Sequence, residues 1–136
     1  MSNFFRELDQ KELVETAKGL HELGVRREWQ QQDEYAKETT VTYMQKTRPE
    51  IFRYQGEYME ADQCYFIPSL EDAIAFLLQR EFAPTIEFFK KGKWRITWTV
   101  GGFAEGITPR LAAIRAMEEI LKAAKESEQK EEEEEF

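Results

Sequence analysis

Residues 85–100 read TIEFFKKGKWRITWTV, a stretch in which two runs of strand-type residues flank a turn of lysine and glycine. In the second run, Trp94, Ile96, Trp98 and Val100 alternate with polar residues without interruption. Alternate residues of a strand point to the same face, so these four side chains share one face of a sheet. The stretch therefore predicts a β-hairpin with one apolar face and one polar face.

The apolar pattern also predicts the register of this hairpin. A two-residue turn would place Phe88 opposite Arg95, so that an apolar and a charged side chain would share a face. A three-residue loop ending at Gly92 instead pairs Phe88 with Trp94 and places Glu87 opposite Arg95. Since a slip of one residue would expose the whole apolar set, we expect the second register, with Gly92 in the left-handed conformation.

Helices are predicted on both sides of the hairpin. Ser69 opens the first and Pro84 stops it, whereas Thr108 caps the second and Pro109 occupies its first turn. Each helix has an apolar stripe at helical spacing. The stripes are Leu70, Ala73, Ile74, Leu77 and Leu78 in the first, and Leu111, Ile114, Met117, Leu121 and Ala124 in the second.

The first half of the chain predicts one further helix and three strands. The helix is expected over residues 10–23, with Asp9 and Glu12 as a capping box and Gly24 as its left-handed end. Phe4, Phe5 and Leu8 fit either an extension of this helix or a separate turn. Residues 26–38 are polar and fit either a solvated helical extension or a loop. Strands are expected at 39–47, 51–54 and 63–67, with an interruption at Pro49.

These elements predict an α+β fold with an antiparallel or mixed sheet of four to five strands and about three helices, arranged like a sandwich. We expect residues 1–125 to form one domain. Residues 126–136 are an acidic tail, expected to be disordered or a frayed extension of the last helix.

The net charge of −8 is concentrated in this tail, which carries seven Glu against one Lys and leaves the rest of the chain at −2. An argument from overall acidity would therefore not exclude nucleic acid as a partner. The single cysteine excludes an intramolecular disulfide. No signal peptide or membrane span is recognised, and we expect a cytoplasmic protein with no membrane partner.

Catalytic motifs are not evident in the sequence. It contains no nucleophile elbow, P-loop or zincin signature, so we expect a non-enzymatic protein without a cofactor or metal. His21 is predicted to be structural, and Cys64 is predicted to be a small buried residue of a strand. Residues 101–106 are predicted to be a turn between strand and helix. An anion held at the following helix start by Arg110 is the alternative.

The polar face of the hairpin carries the one concentrated basic patch of the sequence. Its residues are Phe89, Lys90, Lys91, Lys93 and Arg95. An aromatic ring beside a ladder of cations is what a platform for stacked single-stranded bases requires. The alternative is a solvated strand face with Phe89 buried beneath a helix.

Several stretches between Pro68 and Ala124 resemble the phage-type ABA sandwich domain family. They are Pro68-Ser69, Asp72-Ala73, the strand containing Trp94, residues 104–109 and residues 111–116. This resemblance implies a fold and a phage or prophage origin. The glycine, threonine cap and alanine-rich helix also look like the end of the HicB antitoxin domain and of the double-stranded-RNA-binding domain. The lysine-rich helix start of the latter family is missing here.

The C-terminus is similar to the acidic tip of single-stranded-DNA-binding proteins. Those tips end in Phe, as this chain does after its run of glutamates. The resemblance implies a partner-binding tail with Glu134, Glu135 and Phe136 as its contact residues.

These observations favour a non-enzymatic phage or prophage-type module that binds a host or phage protein, in the cytoplasm of a bacterial host. One alternative is a protein that binds single-stranded nucleic acid through the basic patch and recruits partners with its tail. Another is a counter-defence protein that binds a small ligand or nucleotide near Arg110. Homo-oligomerisation is left open.

Overall fold

The computed structural model describes residues 2–41, 46–60, 63–98 and 101–134. The chain divides into two compact units, Met1–Ser69 and Leu70–Phe136. Each contains a three-stranded antiparallel sheet with at least one helix, which confirms the α+β class. The six described strands form two sheets of three, where one sheet of four to five was predicted. The prediction of one domain over residues 1–125 stays a prediction.

The first unit has one long helix and a sheet in the order β2-β1-β3. Its core combines the inner side of the helix with residues of β1 and β3, and its buried residues include Leu13, Ala17, Leu20, Tyr35 and Ile67. The elements are α1 (Ser2–Glu22), β1 (Glu34–Val41), β2 (Lys46–Arg53) and β3 (Cys64–Ile67).

The end of α1 was predicted correctly, and its start follows the alternative in which Phe4, Phe5 and Leu8 extend the helix. Gly24 has a φ of 95°, and the Val25 N–H donates to the Leu20 carbonyl at 3.0 Å, as in a Schellman motif. The helix begins at Ser2, so Asp9 and Glu12 lie inside it and the predicted capping box is wrong. No proline separates these residues from the N-terminus, and the helix therefore continues through them.

The strand predicted at residues 39–47 combines the end of β1 with the start of β2. The connection at 42–45 lies outside the described residues. Pro49 lies within β2, opposite Glu38, although an interruption was predicted there. Because β2 is an edge strand of this sheet, it tolerates a residue without an N–H. The undecided stretch 26–38 is a loop that enters β1 at Glu34.

The second unit has two helices and a sheet in the order β4-β5-β6. Buried Ile96, Ala104 and Gly106 mark the sheet face that packs against the last helix. The elements are α2 (Leu70–Gln79), β4 (Thr85–Lys90), β5 (Lys93–Thr97), β6 (Phe103–Gly106) and α3 (Pro109–Glu134).

The predicted pairing of the hairpin is confirmed, but the predicted three-residue loop is wrong, because Lys90 pairs with Lys93 and leaves a turn of two residues. Phe88 pairs with Trp94, Glu87 pairs with Arg95, and Gly92 has a φ of 82°. The ladder continues to a pair between Lys90 and Lys93 after a bulge, so two residues of β4 face one residue of β5. Of the alternating residues, Thr99 and Val100 lie outside the described part of the chain.

Strand β6 was not predicted, because residues 101–106 were interpreted as a turn. The position of α3 explains why a glycine occurs in this strand. A Cβ atom on Gly106 would lie 2.6 Å from the backbone nitrogen of Ala112, so only glycine lets the helix approach this closely.

The start of α3 is confirmed, since the Leu111 N–H donates to the Thr108 Oγ1 at 3.1 Å. Both apolar stripes contain buried residues, and both are exposed at their C-terminal ends. Leu78 in α2 and Ala124 in α3 are exposed although both were predicted to be core residues. The backbone is helical through Glu134, so the described part of the tail follows the helical alternative.

Among the described residues, no helix combines the length and the apolar content of a membrane span.

Candidate nucleic-acid interface

The face of the second sheet that points away from α3 carries the candidate site, which we call the open face. On β5 and β6 this face carries the residues that alternate with buried Ile96, Ala104 and Gly106. Arg95 of β5 pairs directly with Glu105 of β6. The open face is defined here as Phe89, Lys93, Arg95, Phe103 and Glu105.

Two aromatic rings of the open face are accessible to solvent. Phe89 is 47% exposed and Phe103 is 56% exposed. Phe89 belongs to the bulge opposite Lys93, and bulges frequently turn a side chain toward a functional surface. The alternative in which Phe89 is buried beneath a helix is therefore wrong.

Arg95 connects the two rings. Its guanidinium carbon lies 4.5 Å from the centroid of Phe89 and 4.8 Å from that of Phe103. The ammonium of Lys93 lies 5.8 Å from the Phe89 centroid. These distances are within the range of cation–π attraction. The result is a continuous strip of two π-faces and a planar cation, all of which can stack on a nucleobase.

Glu105 neutralises part of the positive charge on this strip. One of its carboxylate oxygens lies 3.2 Å from the Lys93 Nζ and the other lies 3.4 Å from an Arg95 Nη atom. The hydrogen bond from Lys93, followed by the charge of Arg95, lowers the pKa of Glu105 below its usual value. The carboxylate is therefore ionised at neutral pH. The Arg95 Nε is buried and has no hydrogen-bond partner among the described residues.

The structure brings together three of the six predicted binding residues. Lys93 and Arg95 both contact the ring of Phe89, and Lys90 and Lys91 are exposed at the hairpin turn. Arg110 lies in the first turn of α3, the helix that packs on the other face of the sheet. Of the predicted tail residues, the structure describes only the backbone of Glu134, which ends the described helix. Glu135 and Phe136 lie outside the described residues.

Sequence reasoning missed Phe103 and Glu105. The signal was their spacing: they are two residues apart, which places them on one face of a strand, with Ala104 on the other. It was overlooked because the glycines on either side suggested a turn.

The single histidine and the single cysteine line a separate cavity of about 190 Å³ in the first unit, with Arg26, Arg27 and Trp29 among their neighbours. Both arginines already have partners. Arg26 donates to the carbonyls of His21 and Val25, and Arg27 binds Asp33 in a bidentate pair at 3.0 and 3.2 Å. The His21 ring packs edge-on against Tyr65 at 5.1 Å, and Cys64 is buried. That His21 and Cys64 are structural stays a prediction.

A larger groove of about 720 Å³ lies in the second unit. Its apolar lining comes from Phe82, Trp98, Ile120, Ala123 and Ala124. Within the part of the chain that the structure describes, no three His, Cys, Asp or Glu residues are grouped to hold a metal ion.

Comparisons with protein-family models, with curated proteins and with solved structures find no match for this chain.

Proposed function

We propose that the chain binds single-stranded nucleic acid on the open face. The observation that carries the proposal is the exposure of Phe89 and Phe103 on either side of the Arg95 guanidinium. Stacking of a base on an exposed aromatic contributes about 1–3 kcal/mol and is tolerant of sequence. Two such rings on one sheet face can hold neighbouring bases of a flexible strand.

Charge near the strip supports the same proposal. Four cations occur within six residues of the hairpin, at Lys90, Lys91, Lys93 and Arg95, against the carboxylates of Glu87 and Glu105. Lys90 and Lys91 are exposed at the turn, where they can contact the phosphates of a strand whose bases lie on the rings. A duplex fits less well, because its bases are already stacked on one another.

The test is a fluorescence-anisotropy titration of a labelled single strand of about 12 nucleotides, at about 50 mM and about 200 mM salt. We expect salt-sensitive binding to the single strand and weaker binding to the matched duplex. Phe89→Ala and Phe103→Ala are each expected to weaken binding about tenfold, through the loss of a stacking surface.

Phe88→Ala is the matched control for these variants. Phe88 is 59% exposed, as accessible as the two rings of the strip, but it belongs to the other face and packs on Trp94 at 5.0 Å. Its removal is expected to leave binding nearly unchanged. Equal losses for Phe88→Ala and Phe89→Ala would contradict the proposal, as would the absence of binding at low salt.

A second candidate function, a phage-type module that binds a protein partner, is favoured by the groove between α2, α3 and the end of β5. Ala123 and Ala124 are exposed on α3 and contribute to its apolar lining. Apolar surface of this kind is typical of sites for partner side chains. Ala123→Arg would introduce a charged side chain there, whereas Lys125→Arg keeps the charge at an exposed position that does not line the groove.

If the groove binds a partner, proteins that co-purify with the chain from bacterial lysate should be retained by the Lys125 variant and lost by the Ala123 variant. The same proteins captured by both variants would show that the groove is not the binding site.

A further inference from the structure

Glu105 forms ion pairs with Lys93 and Arg95, the two cations of the open face that the phosphates of a bound strand would contact. Its carboxylate bridges the Lys93 Nζ and an Arg95 Nη atom, and all three side chains are partly exposed. A phosphate oxygen approaching Lys93 or Arg95 therefore has to compete with a carboxylate that is already in place. A phosphate and a carboxylate make the same kind of charge-assisted hydrogen bond with these groups.

The sheet fixes this competitor in position. Arg95 is flanked in register by two glutamates, Glu87 on β4 and Glu105 on β6. Only Glu105 forms ion pairs with Arg95 and Lys93 among the described residues. Glu87 is exposed and has the same formal charge at the same distance in register. The two residues therefore allow the effect of a bridging carboxylate to be separated from that of a nearby negative charge.

Arg95 shows what the bridge does to the strip. Its guanidinium is held between the rings of Phe89 and Phe103 while Glu105 binds one edge, and the Nε has no partner among the described residues. A phosphate can pair fully with Lys93 and Arg95 only when it replaces the Glu105 carboxylate, which breaks the bridge. A ligand whose bases also stack on Phe89 and Phe103 gains stacking energy that offsets the loss of the bridge.

We propose that Glu105 is an internal competitor for phosphate, which weakens the binding of every phosphate ligand to the open face, so that a ligand must also stack bases on the two rings to bind tightly. This inference rests on the proposed function. A bare polyanion is discriminated against because it cannot offset the broken bridge by stacking, whereas a single-stranded oligonucleotide can. The hydrogen bond from Lys93 lowers the pKa of the Glu105 carboxyl, so the competitor is charged at neutral pH.

The experiment compares Glu105→Gln with Glu87→Gln in the full chain. Both variants remove one negative charge from a side chain flanking Arg95, and only the first removes the bridge. The probes are a labelled single strand and inorganic polyphosphate as a competitor, each at about 50 mM and about 200 mM salt. Circular dichroism of both variants is the control for the fold, and we expect spectra that match the unaltered chain.

For Glu105→Gln we expect binding of the single strand to tighten roughly three- to tenfold, the order of magnitude of two exposed ion pairs. Glu87→Gln is expected to tighten binding less than about twofold, through screened repulsion alone. The inhibition constant of polyphosphate, measured by displacement of the strand, should fall by the same roughly three- to tenfold for Glu105→Gln, because both ligands have to break the same bridge.

The outcomes separate this inference from the proposed function. If the unaltered chain binds the strand and the two variants tighten it equally, the binding function stands and the competitor role is wrong. If only Glu105→Gln binds measurably, the competitor role is supported in its strongest form. If neither variant nor the unaltered chain binds at low salt, both proposals are overturned.

Discussion

Each unit of the chain contains an arginine that stacks on a phenylalanine and pairs with a carboxylate, and the two clusters differ in how accessible their rings are. In the first unit, Arg27 lies 4.9 Å from the Phe66 centroid and is bound by Asp33. Trp29 meets Phe66 edge-on at 5.9 Å, and Phe66 is only 9% exposed. This ring is covered by Trp29 and Arg27.

The second cluster uses the same residue types without this covering. Arg95 stacks on Phe89 and Phe103 and pairs with Glu105, and no other ring contacts Phe89 or Phe103 among the described residues. The comparison shows that an aromatic–arginine pair is not by itself a binding signature. What distinguishes a stacking platform from a core is whether the ring faces have other rings against them.

The largest expected effect is a contrast in stability between the two clusters. Phe66→Ala should lower the free energy of unfolding by about 3–5 kcal/mol, as large-to-small changes of buried phenylalanine do. Phe103→Ala should lower it by less than about 1 kcal/mol, because most of that ring is already in water. Urea denaturation followed by circular dichroism measures both. A loss at Phe103 as large as that at Phe66 would show that the open face is part of a core.

The covered face of the second sheet supplies the next largest effect. Gly106→Ala places a Cβ atom 2.6 Å from the Ala112 nitrogen, and we expect a loss of about 2 kcal/mol from this overpacking. Gly101→Ala is the control for conformation. A Cβ atom there meets nothing within 4 Å, but its φ of 84° disfavours a side chain, so about 1 kcal/mol is expected. Tolerance of alanine at Gly106 in urea denaturation would contradict the close packing of α3.

Local rules were enough to predict much of the second unit. The alternation in β5 determined the hairpin register, and Thr108 with Pro109 marked the start of α3. These signals lie within a few residues of the structure they specify. The candidate binding residues on the hairpin were predicted for the same reason, since Phe89, Lys93 and Arg95 are all part of this alternating stretch.

The errors concern features that depend on distant parts of the chain. Residues 103–106 are weak strand formers, and they form β6 because β5 offers a pairing edge. Pro49 is accepted in β2 because that strand is at the edge of its sheet, which its own sequence does not reveal. Phe103 and Glu105 were missed as site residues as a direct consequence of missing β6.

The smallest expected effect concerns pH and the buried ring system of the first unit. Burial, and then the hydrogen bond of 2.7 Å to Glu57, raise the pKa of the Tyr35 hydroxyl well above its usual value. Since the unfolded chain ionises this group at about pH 10 and the folded chain does so later, its contribution to stability is complete below about pH 10 and is lost as the pH rises through the folded pKa.

Tyr35→Phe should therefore remove part of the alkaline decline in stability, by at most about 1 kcal/mol for each pH unit above about pH 10. Urea denaturation from about pH 9 to about pH 11 tests this, with Tyr58→Phe at an exposed position as the control. The open face of the second unit holds no tyrosine among its defining residues. The rate of hydrogen exchange in β5 should therefore be the same in Tyr35→Phe and Tyr58→Phe. If Tyr58→Phe alters the alkaline decline in stability as much as Tyr35→Phe does, the buried hydroxyl is not what makes the first unit sensitive to alkali. The contrast between the covered and the open cluster would then rest on exposure and packing alone.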